Sequence, residues 1–177
     1  MSALDDMYFR WKSILTELEN EFAFLETEIQ KGGTVIDCTN RNAVRDMSFD
    51  EAKIFYSSII ESLKYYETVD FFSYFEKFLF DDASQRKRNN KAKCHSDIRK
   101  FYKYPQNKQV VAKIIDIWRN TFSESYYDLI FSYIDDARLY RNWIAHGKRS
   151  PCKAKGPLAP DEVYTAVNLM IEKISTI

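Results

Sequence analysis

Four glycines and four prolines in 177 residues leave this chain little material for tight β-turns, so an all-α fold is expected. Histidine is scarcer still, with only His95 and His146. Three cysteines, Cys38, Cys94 and Cys152, are odd in number and scattered, with no C-x2-C pair; free thiols and no zinc site are expected. No uncharged run approaches the roughly 20 residues of a membrane span. The first residues carry Asp5 and Asp6, with neither the cationic nor the apolar region of a secretory leader, which predicts a cytoplasmic protein with no membrane partner. There is no Gly-rich phosphate loop, no H-E-x-x-H, no nucleophile-elbow serine and no EF-hand-like acidic loop. No cofactor or metal is therefore expected. Lysine and arginine (26) balance aspartate and glutamate (26), for a formal net charge of zero.

What the chain has in quantity is apolar material. It is 45% hydrophobic and 16% aromatic, enough to bury a sizeable core, and its length predicts a single domain over 1–177. From Ser2 to Lys31, Leu4, Met7, Trp11, Ile14, Leu18, Phe22, Leu25 and Ile29 recur at three and four, with a Ser2/Asp5 capping pair in front and Gly32-Gly33 behind; this predicts a long helix. Seven Asp/Glu against three Lys/Arg make this segment net −4. Residues 34–47 lack a period and read as a loop. Ser48 and Glu51 form a second capping box, followed by Phe55, Ile59, Leu63, Tyr66, Val69, Phe72, Phe75 and Leu79, which predicts a helix to about Asp81. Six aromatics between Phe71 and Phe80 spread over more than one face, so several helices or a partner chain must cover them.

Between Arg86 and Lys103 stand eight Lys/Arg and one acid, beside Phe101, Tyr102 and Tyr104. This reads as a basic surface suited to phosphate, with Arg86 and Arg88 as RNA contacts, although solvation alone also accounts for a charge run. Beyond Pro105, Asn107 can start a helix bearing Val110, Val111, Ile114, Ile115, Trp118 and Phe122. Ser123 or Ser125 then caps a helix with Ile130, Tyr133, Ala137, Tyr140 and Ile144 along one line, stopped by Gly147. A loop with four cations and no acid follows, in which Lys148 and Arg149 are candidate RNA contacts. Pro160, Asp161 and Glu162 open a last helix with Val163, Val167, Met170, Ile171 and Ile174 on one face.

The informative stretch is Arg141-Asn142-Trp143-Ile144-Ala145-His146-Gly147. On a regular helix Asn142 and His146 are neighbours opposite the apolar line, while Arg141 sits about 140° from His146. With ten arginines and two histidines in the chain, a given Arg-to-His spacing arises by chance roughly 0.1 times, and requiring asparagine second and glycine last lowers this about a thousandfold. Arg88-Asn89 followed by His95 fits the loose spacing too, but without the glycine or the helical line. Arg138, one turn before Asn142, pairs with Asp135 or joins the site, and the pairing is the reading preferred.

Arg141, Asn142 and His146 resemble the R-x4-6-H motif of the HEPN superfamily, small α-helical proteins many of which are ribonucleases and toxins of prokaryotic defence systems. The resemblance covers some eight residues and an all-helical frame. It implies a HEPN-like bundle of about five to six helices and a metal-independent endoribonuclease, with Arg141, Asn142 and His146 catalytic. The substrate's own 2′-OH is then the nucleophile. It also implies RNA as partner, a homodimer in which motifs of two chains meet in one cleft, and an antitoxin protein as a further partner. Where some members carry a modifiable tyrosine two residues after the histidine, this chain has Lys148. A non-catalytic HEPN module that binds nucleotide, RNA or protein is the alternative. A plain helical interaction protein is a third reading.

Overall fold

The computed structural model describes residues 2–32, 44, 47–102, 110–122, 124–147, 151–154 and 159–177. These residues form six α-helices and no strand: α1 (Ala3–Gln30), α2 (Phe49–Arg88), α3 (His95–Tyr102), α4 (Val110–Thr121), α5 (Tyr126–Ala145) and α6 (Pro160–Ser175). No helix among them is long and apolar enough to cross a membrane.

The helix ends follow local chemistry. Ser2 accepts the Asp5 N–H on its hydroxyl while its own N–H donates to the Asp5 carboxylate at 2.7 Å, closing the capping box of α1. Ser48 and Glu51 do the same for α2, and hydrogen bonds from the Ser48 backbone and hydroxyl hold the Glu51 carboxyl below its ordinary value. Gly32 (φ 89°) and Gly147 (φ 70°) take the left-handed conformation that ends α1 and α5. Ser125 is different. It stands at the start of α5 in helical conformation with no side-chain cap, and Ser123 lies outside the described residues.

The chain forms two compact units, Met1–Glu67 and Thr68–Ile177, with the boundary inside α2. In the first unit Leu18, Leu25, Val44, Ala52 and Tyr56 form the core, with Phe22 and Tyr56 5.5 Å apart between ring centres. The buried row of α1 includes Leu15, whereas Ile14 is exposed; at the start of α2 it is Ala52 and Tyr56 that are buried.

In the second unit α5 packs on α4 and α6, and α3 packs on α4. Phe71, Phe72, Phe75, Leu79 and Ala83 of α2 are buried with Ile114, Ile115 and Trp118 of α4 and Val163, Val167, Met170 and Ile174 of α6. Of the six aromatics from Phe71 to Phe80, Phe71, Phe72 and Phe75 are buried within the chain and Tyr74, Phe78 and Phe80 are half-buried.

Two segments differ from expectation. α2 runs on to Arg88, because Ala83 and Arg86 continue the buried row of Leu79 at helical spacing. The basic stretch after it holds a short helix, α3, which buries Ile98 completely.

Arg86 is the clearest correction. Expected to meet RNA, its side chain is only 10% exposed. It donates to both Asp82 oxygens at 2.8 and 3.0 Å and to the Ile174 carbonyl at 2.8 Å, and its guanidinium lies 4.9 Å from the Trp118 ring centre. Burial pushes the Asp82 carboxyl up, against the pull of Arg86. Such a fully engaged cation holds α2, α4 and α6 together. It is not available to a phosphate.

Candidate active site

The site is set by the rotation of α5. Its buried residues are Tyr127, Ile130, Phe131, Ile134 and Ala137, while Tyr133, Tyr140 and Ile144 are only half-buried and Tyr126 is exposed. At 100° per residue the buried set centres about 75° around the helix from Tyr126, the residue whose line the sequence pattern follows. Arg141 falls within about 15° of that centre and Arg138 within about 45°. Both arginines therefore lie on the core-facing side, at the end of the helix where the core gives out.

There they meet a cavity of about 280 Å³. Phe72, Phe80, Val110 and Val111 form its apolar wall, and Glu76, Arg138, Arg141 and Asn142 its polar one. Arg141 Nη2 donates to Glu76 Oε2 at 2.8 Å and Nη1 to Asn142 Oδ1 at 3.2 Å. The arginine is 36% and the glutamate 18% exposed, so the pair is screened yet reachable from solvent. With Asn142 Oδ1 taken by the guanidinium, its amide N–H groups are left as donors.

His146 lies elsewhere. It is exposed at the C-terminal cap of α5, its N–H donating to the Asn142 carbonyl at 3.0 Å, and it does not line the cavity. Because α5 is helical through Ala145, the separation of about 140° between Arg141 and His146 holds, and one chain does not point both into one space. Leu139 and Trp143 are half-buried beside it.

Arg138 forms the ion pair with Asp135 that the sequence suggests, and Asp135 shares it with a second arginine. The Asp135 carboxylate receives Arg119 Nη2, while Arg138 Nε stands 3.5 Å from Oδ1, beyond hydrogen-bond length. That Nε is buried and makes no hydrogen bond among the described residues. Arg88 is exposed near the end of α2. Lys148 and Arg149 lie outside the described residues.

His95, of the competing Arg88/His95 spacing, is half-buried, and its Nδ1 lies 2.8 Å from the Arg86 carbonyl. Nδ1–H therefore donates there, satisfying one of the last carbonyls of α2. That is a structural role.

Glu76 was not among the residues the sequence singles out. Phe72, Glu76 and Phe80 stand at i, i+4 and i+8 on one row of α2, and a carboxylate in an otherwise aromatic row was the signal available. Among the described residues no group of three or more His, Cys, Asp or Glu side chains is placed to hold a metal ion. No protein-family model, no curated protein and no solved structure matches this chain.

Proposed function

We propose that this protein is an endoribonuclease of HEPN type that cuts RNA by transesterification without a metal ion, with Arg141, Asn142 and His146 as its catalytic groups. The observation that carries this reading is the convergence of Arg141 and Asn142 on one cavity, with His146 exposed one turn after Asn142 on the same helix. In the reaction the 2′-OH loses its proton to a base, its oxygen bonds to phosphorus, the P–O5′ bond breaks and the leaving oxygen takes up a proton. The products are a 2′,3′-cyclic phosphate and a 5′-OH. An imidazole serves one of the two proton transfers, a contribution of roughly 10²- to 10⁴-fold in rate. A guanidinium and an amide donor stabilise the charge on the phosphoryl oxygens.

The divergence of Arg141 and His146 within one chain makes the active unit a homodimer in this reading. His146 of one protomer approaches the Arg141 cavity of its partner, and the half-buried Leu139 and Trp143 edge is covered at the twofold axis. RNA incubated with the purified protein in EDTA should be cut to cyclic-phosphate ends, and a 2′-deoxy group at the scissile nucleotide should block the cut. Loss of cleavage in EDTA with recovery on adding Mg²⁺ refutes this mechanism.

The Arg141–Glu76 ion pair favours a second reading, a non-catalytic module that binds RNA or nucleotide, because it already engages part of the guanidinium. RNA affinity without cleavage selects it.

A further inference from the structure

We infer that a second cavity, between α5 and α6, binds a small amphiphilic amine, with its apolar body against Tyr126, Leu129 and Leu169 and its ammonium head beside Tyr133, Asp161 and Glu162. This cavity, of about 300 Å³, shares no lining residue with the one beside Arg141 and stands apart from the proposed RNA chemistry.

The packed pair of α5 and α6 forms the cavity, and the placement of its residues gives it two unlike ends. Burial, the nearby Glu162 charge and a hydrogen bond with Glu162 push the Tyr133 hydroxyl up, which sets Tyr133 beside the first turn of α6. Tyr126 stands seven residues before Tyr133, and Leu169 seven after Glu162, a span of about 10 Å along each helix. All four line one small space. They can do so only if the helices run antiparallel, with Tyr126 opposite Leu169 at one end and Tyr133 opposite Glu162 at the other.

The first end is apolar. Tyr126 is 56% and Leu129 59% exposed, over a floor of buried Ile130 and Ala166. Two large side chains standing in water beside a ready-made apolar floor are stabilised when an aliphatic chain covers them. The second end is anionic. Asp161 and Glu162 are both exposed, and the cavity lining contains no cation. The start of α6 contributes about half a positive charge, which two carboxylates outweigh. An aromatic ring such as that of Tyr133 also attracts an ammonium group that comes within about 6 Å of its centre.

These features select the occupant. An anion meets two carboxylates, and an uncharged chain leaves them without a counter-charge. At about 300 Å³ the space is at the bottom of the range of about 300 to 1,000 Å³ usual for small-molecule sites. One short chain with its head group fits, whereas the row of about four anchors that a docked helix presents does not.

Calorimetric titration of the full chain with hexylamine and hexyltrimethylammonium tests this, against hexanol, hexanoate, tetramethylammonium and a capped peptide with one lysine between leucines. Both hexyl cations should bind, hexanol about tenfold more weakly, and tetramethylammonium, which lacks the apolar body, at least about tenfold more weakly. Hexanoate should give no heat of binding. Leu129→Lys, which sets a cation in the exposed wall, should weaken hexylamine binding about tenfold, and Glu162→Gln about threefold. Ile54→Ala, at an apolar residue 71% exposed in the first unit, should not. Circular dichroism identifies any variant that fails to fold, and Tyr126→Ala then replaces Leu129→Lys.

No binding of either hexyl cation, hexanol or hexanoate that binds as tightly as hexylamine, or wild-type affinity in both cavity variants overturns the inference. A peptide that binds where hexylamine does not makes this face a protein-docking surface and overturns it as well. Selective binding of the hexyl cations, weakened in both variants, supports it whether or not the protein cleaves RNA.

Discussion

Arg141 and Glu76, sixty-five residues apart in sequence, share a hydrogen bond of 2.8 Å between Nη2 and Oε2. The carboxylate holds one edge of the guanidinium and turns the other toward Asn142, so the arginine enters the cavity in one orientation. Glu76 is thus a positioning residue. Glu76→Ala should lower RNA cleavage roughly 10- to 100-fold, the scale of a misplaced catalytic group. Glu76→Gln keeps an acceptor and should retain most activity. Equal loss in both variants, or a gain in either, counts against positioning.

His146 and His95 should separate cleanly. His146 is exposed, so His146→Ala should abolish cleavage with a stability change within about 0.5 kcal/mol. His95→Ala removes the bond to the Arg86 carbonyl and should cost about 1 kcal/mol while leaving cleavage in place. Denaturant melts and a cleavage assay on the same preparations check both halves. Full activity in the His146 variant removes it from the site.

Arg86→Ala should be among the most damaging surface-to-alanine changes by sequence and one of the core changes by effect. It leaves Asp82 buried without its partner and the Ile174 carbonyl without its donor, a loss of about 3 to 5 kcal/mol. Arg88→Ala should stay within about 0.5 kcal/mol. Urea unfolding of the two variants side by side provides the comparison, and a small effect at Arg86 contradicts its place in the core.

Acid should loosen the start of α2 through Glu51. Hydrogen bonds from Ser48 hold its folded-state pKa below the ordinary 4.5. The unfolded chain thus takes up the proton first as pH falls. The contribution of Glu51 is full above pH 4.5 and is lost as pH drops through the lowered value. Glu51→Gln should flatten this part of the stability profile, measured as thermal midpoint against pH. An unchanged acid slope in that variant rules out Glu51 as its source.

A homodimer with composite sites predicts complementation. Light scattering should give about twice the 21.0 kDa chain mass. Arg141→Ala and His146→Ala proteins, each inactive, should regain partial activity when unfolded and refolded together, since hybrids then hold one intact Arg/His pair across the interface. A monomer that cuts RNA at full rate sinks the composite site. The aromatic run at Phe71 to Phe80 lends this dimer no support, because Phe71, Phe72 and Phe75 are already buried within the chain.

Five of the six helices, the caps at Ser2 and Ser48, the stops at Gly32 and Gly147 and the proline start at Pro160 were legible in the sequence, because each depends on residues close along the chain; the short α3 was not. That Arg141, Asn142 and His146 share the end of one helix was legible for the same reason. Which face of α5 is buried was not. Periodicity says which residues share a face, but α5 carries two adjacent apolar edges, and only packing against α4 and α6 selects the one with Phe131 and Ile134. That rotation brings Arg138 and Arg141 to a cavity and leaves His146 outside it. Likewise eight cations in a row read as one basic surface, whereas Arg86 is drawn into the core by Asp82, Trp118 and the end of α6. Local spacing determines the helices; partners distant in sequence decide which charged side chains face a ligand and which the fold consumes.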